Sequence, residues 1–191
     1  MFFSALDKLL NRRSLMLSRS SYVSSGRYTA HWTGDNLSLW SQLRLSIIQM
    51  LEFNLFGIPF IGSDICGFSG DTTPELCLRW SQLGAFYPFS RNHNDIPSKV
   101  LQDPAVWAEY GHPEVTDAAR ASLQFRYVHL HYYYTLFFLA HTKGQTVIRP
   151  LVHEFTKDPK THAIDEQFMV GPSILVAPFL YEVLFFFSFC Y

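Results

Sequence analysis

Apolar residues fall in short runs along the chain, each closing on polar residues, with amphipathic stretches between them. Leu15-Met16-Leu17 runs into Ser18-Arg19-Ser20, and Tyr28-Thr29-Ala30-His31-Trp32 runs into Thr33-Gly34-Asp35-Asn36. Ile58-Pro59-Phe60-Ile61-Gly62 runs into Ser63-Asp64, and Gly84-Ala85-Phe86-Tyr87 runs into Ser90-Arg91-Asn92-His93. Each run has the length of a strand buried on both faces of a parallel sheet. Between them, Trp40 to Leu55 brings Leu43, Ile47, Met50, Leu51 and Asn54 near one helix face, and Gly57 suits a stop. Thr73 suits an N-cap, with Pro74 at the first helical position and Glu75 in the first turn. That helix is predicted to reach Leu83 and stop at Gly84. One long aromatic helix is predicted from Ala118 to His141, and strands from Val147 to Val152 and from Ile174 to Phe179.

Strands alternating with helices predict an α/β fold with parallel strands. Polar residues at successive strand exits are where a (β/α)8 barrel keeps its active site. Four strands are half of such a barrel; a complete small α/β domain fits the same pattern.

Composition narrows the classes. The 191 residues are 48% apolar, enough for a sizeable core. Fifteen basic residues balance 16 acidic ones, which argues against the clustered cations of a nucleic-acid footprint. The 17% of aromatic residues supply either a dense core or surfaces on which sugars stack.

The ends read differently from the middle. The start, Met1 to Asp7, resembles the middle of an amphipathic helix and not a secretory signal. The end, Val183 to Tyr191, is apolar without turn chemistry. Extending it back to Pro172 gives 20 residues, but Pro172, Pro178 and Glu182 interrupt them, so no membrane span is expected of this segment. Both ends carry the expectation of a truncated chain.

Several residues have chemistry to offer. Asp35 follows a strand that ends in Trp32, and Gly34 makes the turn before it. A carboxyl group against an aromatic wall can serve as a general acid, because burial disfavours its charged form. The plainer alternative is that Asp35 or Asn36 caps the next helix. Arg19, Asp64 and His93 end three other strands, and Arg91-Asn92-His93-Asn94 offers donors and acceptors suited to hydroxyl groups. Each alone reads equally as a loop residue. His129 and His131, two apart, fall on different helix faces, and the three cysteines make no zinc motif, so no metal site is expected. Cys66 and Cys77 could pair across the loop at Gly70. No phosphate-binding loop and no serine nucleophile elbow appears, and no cofactor is expected.

Longer stretches carry a resemblance. Gly26-Arg27-Tyr28-Thr29-Ala30-His31-Trp32-Thr33-Gly34-Asp35-Asn36 is similar to the acid/base signature of glycoside hydrolase family 31. Met50-Leu51-Glu52-Phe53-Asn54-Leu55-Phe56-Gly57-Ile58-Pro59, Gly62-Ser63-Asp64-Ile65-Cys66-Gly67-Phe68 and Arg79 to Asn94 continue it. The likeness, strongest to the α-glucosidases of the family, runs from about Leu15 to Tyr181 and takes in Arg149-Pro150-Leu151-Val152-His153-Glu154-Phe155.

The resemblance implies the C-terminal half of a (β/α)8 TIM barrel, strands 5 to 8, over residues 1–146. The start of a β-sandwich domain would occupy 147–182, and a tail foreign to the family 183–191. It implies a retaining exo-α-glucosidase acting on α-linked gluco-oligosaccharides in a lysosome, the secretory pathway or the cell surface. Asp35 would be the general acid/base, with Arg19, Trp32, Asp64, Phe68 and His93 lining the glucose subsite. A disulfide between Cys66 and Cys77 is expected, since such enzymes mature in oxidising compartments.

The sequence also departs from the family. The nucleophile motif, of Trp-x-Asp-Met-Asn-Glu type, is not in it; the only acidic residue before Asp35 is Asp7, in unrelated surroundings. The chain alone is therefore expected to be inactive, at most binding sugar, and to self-associate through open barrel edges. Where the family reads Leu-Leu-Pro-Tyr-Leu-Tyr, this chain has His129-Leu130-His131-Tyr132-Tyr133-Tyr134, and Asp71 stands where relatives often carry a glycosylated Asn.

Overall fold

The computed structural model describes residues 6, 8–12 and 14–183. The tail expectation, from 184 onward, and most of the amphipathic start lie outside the described residues. Strands β1 (Leu17–Ser18), β2 (Ala30–Trp32) and β3 (Ile61–Gly62) pair in parallel, in that order. One residue on, β4 (Asp64–Ile65) pairs in parallel with β5 (Arg91–Asn92). Ser63 divides β3 from β4, so four successive stretches of chain lie side by side in parallel, as the run-and-helix pattern predicts.

Helix α1 (Trp40–Leu55) crosses from β2 to β3 and buries Leu43, Ser46, Ile47, Met50, Leu51 and Asn54. The spacing of three and four puts these on one face, which packs on the sheet. Helix α2 (Pro74–Gly84) begins as predicted: the Thr73 hydroxyl accepts the N–H of Leu76 at 3.3 Å, and Pro74 occupies the first turn. Its end differs. Gly84 is the last helical residue, and a Cβ there would sit 2.4 Å from the Ile65 side chain. Glycine serves close helix–strand packing here, not a left-handed stop.

The fourth strand is displaced from the apolar run that predicted it. Residues 85 and 86 form a turn, 87–90 are not strand, and the strand falls on Arg91–Asn92. Tyr87 is fully buried instead as a side chain, its hydroxyl bonded to Ser46 at 2.6 Å and to the Trp80 indole N–H at 3.0 Å. Burial pushes its ionisation far up.

The predicted aromatic helix over 118–141 is two helices, α3 (Pro113–Val128) and α4 (Leu130–Lys143), divided at His129. Neither Pro nor Gly marks the break. The His129 ring stacks on Phe125 at 4.0 Å and bonds that residue's carbonyl at 2.7 Å. Beyond it α4 turns to its own partners: Phe137 meets Phe60 edge-on, and Tyr132 donates to the carbonyl of Val170 at 3.0 Å.

A second sheet follows. Strands β6 (Ile148–Arg149), β7 (Phe168–Val170) and β8 (Ile174–Val176) pair antiparallel in that order. The predicted strand over 147–152 ends at Arg149, and a single helical turn, α5 (Leu151–Glu154), takes the rest. The buried core is continuous across both sheets, from Leu43 and Ile61 through Trp80 and Tyr133 to Ile148 and Phe168. Among the described residues, no helix is long and apolar enough to cross a membrane.

Candidate active site

The parallel strands deliver their polar residues to one side of the sheet. Arg19 leaves β1, and its guanidinium stands 3.6 Å from the carboxylate of Asp35, which leaves β2. Gly34, with φ of +83°, makes that turn; a Cβ there would lie 2.5 Å from Arg19 Nε. The turn thus needs glycine for its backbone and for the arginine laid against it.

Asp35 does not cap a helix. The N-cap of α1 is Leu39, and no side chain bonds there. The aromatic wall expected to bury Asp35 does not enclose it: its side chain is 48% exposed and that of Arg19 59%. Both charged ends are therefore open to solvent on the strand-exit side.

Asn36 is a buried anchor. Its amide donates to Ser63 Oγ at 2.8 Å and to the Asp64 carbonyl at 3.0 Å, and its oxygen accepts the N–H of Phe68 at 2.9 Å. These bonds tie the turn after β2 to the β3–β4 junction and the loop beyond it. The sequon Asn36-Leu37-Ser38 is buried at its acceptor residue.

Asp64 opens β4 with its side chain fully buried. Its strand partner is Arg91, directly across the parallel register, and both Nε and Nη2 of Arg91 donate to Asp64 Oδ1, at 3.1 and 2.5 Å. Oδ2 of Asp64 is buried with no partner, and so is the indole N–H of Trp32. Burial raises the Asp64 carboxyl above its ordinary value, while the bond and charge of Arg91 pull it back down. Phe68 packs against His93 with ring centres 4.9 Å apart.

The structure therefore brings Arg19 to Asp35, Asp64 to Arg91, Arg91 to Trp32, and Phe68 to His93. His93 and Asp35 both lie close enough to act electrostatically on Asp64. The sequence reading missed Arg91 as a member of this group, treating it only as one donor in a polar loop. No local signal marked it: only the β4–β5 register sets this cation opposite a strand aspartate.

Cys66 and Cys77 form a disulfide that ties the loop after β4 to the second turn of α2. The expected pairing is thus present. Gln102 donates to the Gly67 carbonyl at 2.8 Å and closes the same loop from the other side.

Comparison with known proteins agrees with this architecture. The glycosyl hydrolases family 31 TIM-barrel domain matches residues 2–136, and the family's C-terminal domain matches residues 144–184. The chain is 52% identical over 173 residues to a probable maltase-glucoamylase 2 from Homo sapiens, covering 91% of this chain and 7% of that protein. It is 49% identical over 176 residues to the lysosomal alpha-glucosidase of Rattus norvegicus, covering 92% of this chain and 18% of that one. The structure of a family 31 alpha-glucosidase from Bacteroides thetaiotaomicron superposes with a TM-score of 0.84 at 36% identity, over 93% of this chain and 30% of that one. The chain thus spans under a fifth of the length of either curated relative. Parallel strands with polar exits, an antiparallel sheet after them and matches across both parts place this chain in glycosyl hydrolase family 31.

Proposed function

We propose that this chain carries the acid/base half of the glucose site of a retaining exo-α-glucosidase acting on α-linked gluco-oligosaccharides. The observation that carries the reading is the Arg19–Asp35 pair, open to solvent at neighbouring strand exits beside Trp32. The relatives' names, maltase-glucoamylase and alpha-glucosidase, supply the reaction class.

In this reading Asp35 protonates the glycosidic oxygen as the leaving sugar departs, then takes a proton from the incoming water. Arg19 holds one Asp35 oxygen and orients the carboxyl group. Trp32 and Phe68 pack on the sugar ring, and Asp64 and His93 bond its hydroxyls. No cofactor takes part.

A retaining glycosidase needs two carboxyl groups about 5 Å apart, one of them the nucleophile. The family's nucleophile motif is not among these residues, so the chain alone binds sugar without turning it over. Sheet edges at β1 and β5, and exposed Tyr127, Tyr134 and Phe138 on α3 and α4, favour self-association of the chain expressed by itself.

Two measurements test this. Isothermal titration with 1-deoxynojirimycin should show weak binding that Asp35→Asn and His93→Ala both reduce. A chromogenic α-glucoside should show no release of chromophore. Binding indifferent to both substitutions would remove the sugar site, and hydrolysis abolished by Asp35→Asn would remove the claim that the chain alone is inactive.

A further inference from the structure

We infer that Arg91 is a positioning residue of the sugar site: it grips Asp64 through one carboxylate oxygen, leaves the other free as a hydroxyl acceptor, and braces Trp32. The inference rests on the reading that Asp64 and Trp32 line the glucose subsite.

The geometry is specific. Nε and Nη2 of Arg91 both converge on Oδ1 of Asp64 instead of forking across its two oxygens. An arginine free to choose takes the two-oxygen fork, which matches the carboxylate and is the stronger arrangement. Here the one-oxygen grip leaves Oδ2 buried and unpartnered. A buried acceptor without a partner is costly, and a ligand hydroxyl would relieve that cost.

Arg91 is itself held in place. Its guanidinium carbon lies 5.3 Å from the centre of the Trp32 ring and 5.5 Å from that of Phe89. Its backbone is paired to β4 beside Asp64. One side chain thus links the β5 strand, the Asp64 carboxylate and the Trp32 ring, and Trp32 also keeps a buried, unpartnered N–H. An acceptor and a donor both lacking partners, on two residues braced by the same cation, fit a polyhydroxylated ring.

Charge is part of the arrangement. The groups that act on Asp64 are Arg91 from β5, His93 two residues further, and Asp35 from the exit of β2. Burial alone would favour the protonated carboxyl, which could donate but would accept poorly. The guanidinium opposes that and favours the ionised form, in which Oδ2 can accept.

The test compares the full chain with Arg91→Met, which keeps length without charge, and Arg91→Lys, which keeps charge without the planar fork. Infrared spectra of chain labelled with carboxyl-13C aspartate report Asp64 protonation at any oligomer size, with Asp64→Asn identifying the band. The Asp64 midpoint should move up by about 1 to 3 pH units in Arg91→Met and by less in Arg91→Lys. Affinity for 1-deoxynojirimycin should fall about 10- to 100-fold in Arg91→Met. Arg91→Lys should recover part of it, with the far-ultraviolet circular dichroism of the fold unchanged. An unmoved midpoint in Arg91→Met overturns the inference. A moved midpoint with unchanged affinity also overturns it, because the pair would then be structural alone. A moved midpoint in a chain that binds no iminosugar establishes the hold on Asp64 and removes the sugar-site reading instead.

Discussion

The side-chain oxygen of Asn54 on α1 accepts the N–H of Val147 at 2.9 Å, although 93 residues separate the two. The same oxygen accepts the N–H of Ile148 at 3.2 Å, and the amide nitrogen donates back to the Met50 carbonyl at 2.9 Å. One buried amide thereby joins the barrel helix to the first strand of the antiparallel sheet. Arg44, further back on α1, reinforces the joint through Asp165 and Glu166, each at 2.8 Å. Asn54→Ala should cost more than about 2 kcal/mol, because it strands two buried backbone donors. Urea unfolding should show this as a lower midpoint. Arg44→Ala should lower the urea midpoint less than Asn54→Ala does, since Arg44 and its partners are part-exposed and solvent screens their charges.

Arg126 is a part-buried cation among carbonyls. Its guanidinium donates to the carbonyls of Ala85 at 2.7 Å, Tyr87 at 2.6 Å and Pro88 at 3.1 Å, and lies 5.0 Å from the centre of the Tyr133 ring. It holds the turn that leads from α2 into β5, and so into Arg91 and His93. Arg126→Leu should destabilise the fold by about 2–4 kcal/mol, because three acceptors lose their donor. Arg126→Lys should recover only part, having no planar fork. Thermal unfolding of the two variants gives the order.

His31 gives the fold a dependence on pH. Its ring is buried, stacked on Phe53 at 4.2 Å, with Nδ1 2.8 Å from the Ser18 carbonyl. Burial lowers its affinity for protons below the ordinary value of 6.5, and the Ser18 bond only partly opposes this. A depressed value means that the unfolded chain binds the proton first. The His31 contribution is therefore complete above 6.5 and is lost as pH falls through the lowered folded value. Urea midpoints measured from pH 7.5 down to pH 5 should fall, and His31→Gln should flatten that slope. An equal slope in the variant would assign the effect to other groups.

The Cys66–Cys77 bond closes a loop of 11 residues' separation. In the chain-entropy account such a bond contributes about 2–3 kcal/mol through the unfolded state. Cys66→Ser with Cys77→Ser should lower the unfolding midpoint accordingly. Mass spectrometry after alkylation without reductant should find neither thiol labelled in the wild-type chain.

The residue pattern by itself determined the parallel order of strands and helices, the start of α2 at Thr73 and Pro74, and the buried face of α1. These depend on interactions within a few residues: apolar spacing, a hydroxyl cap, a fixed proline φ. The long unbroken likeness from the acid/base signature onward likewise made the family legible.

Only the tertiary structure decided the rest. The break at His129 carries no Pro or Gly, because it is made by where α3 and α4 find partners: Arg126 in the α2–β5 turn, and Phe137 and Tyr132 on Phe60 and β7. The fourth strand moved from 84–87 to Arg91–Asn92, because Gly84 packs its helix on Ile65 and Tyr87 is claimed by Ser46 and Trp80. Arg91 looked like any loop cation until the β4–β5 register set it opposite Asp64. Such pairings join residues dozens of positions apart, and no local spacing encodes which distant strand lies alongside.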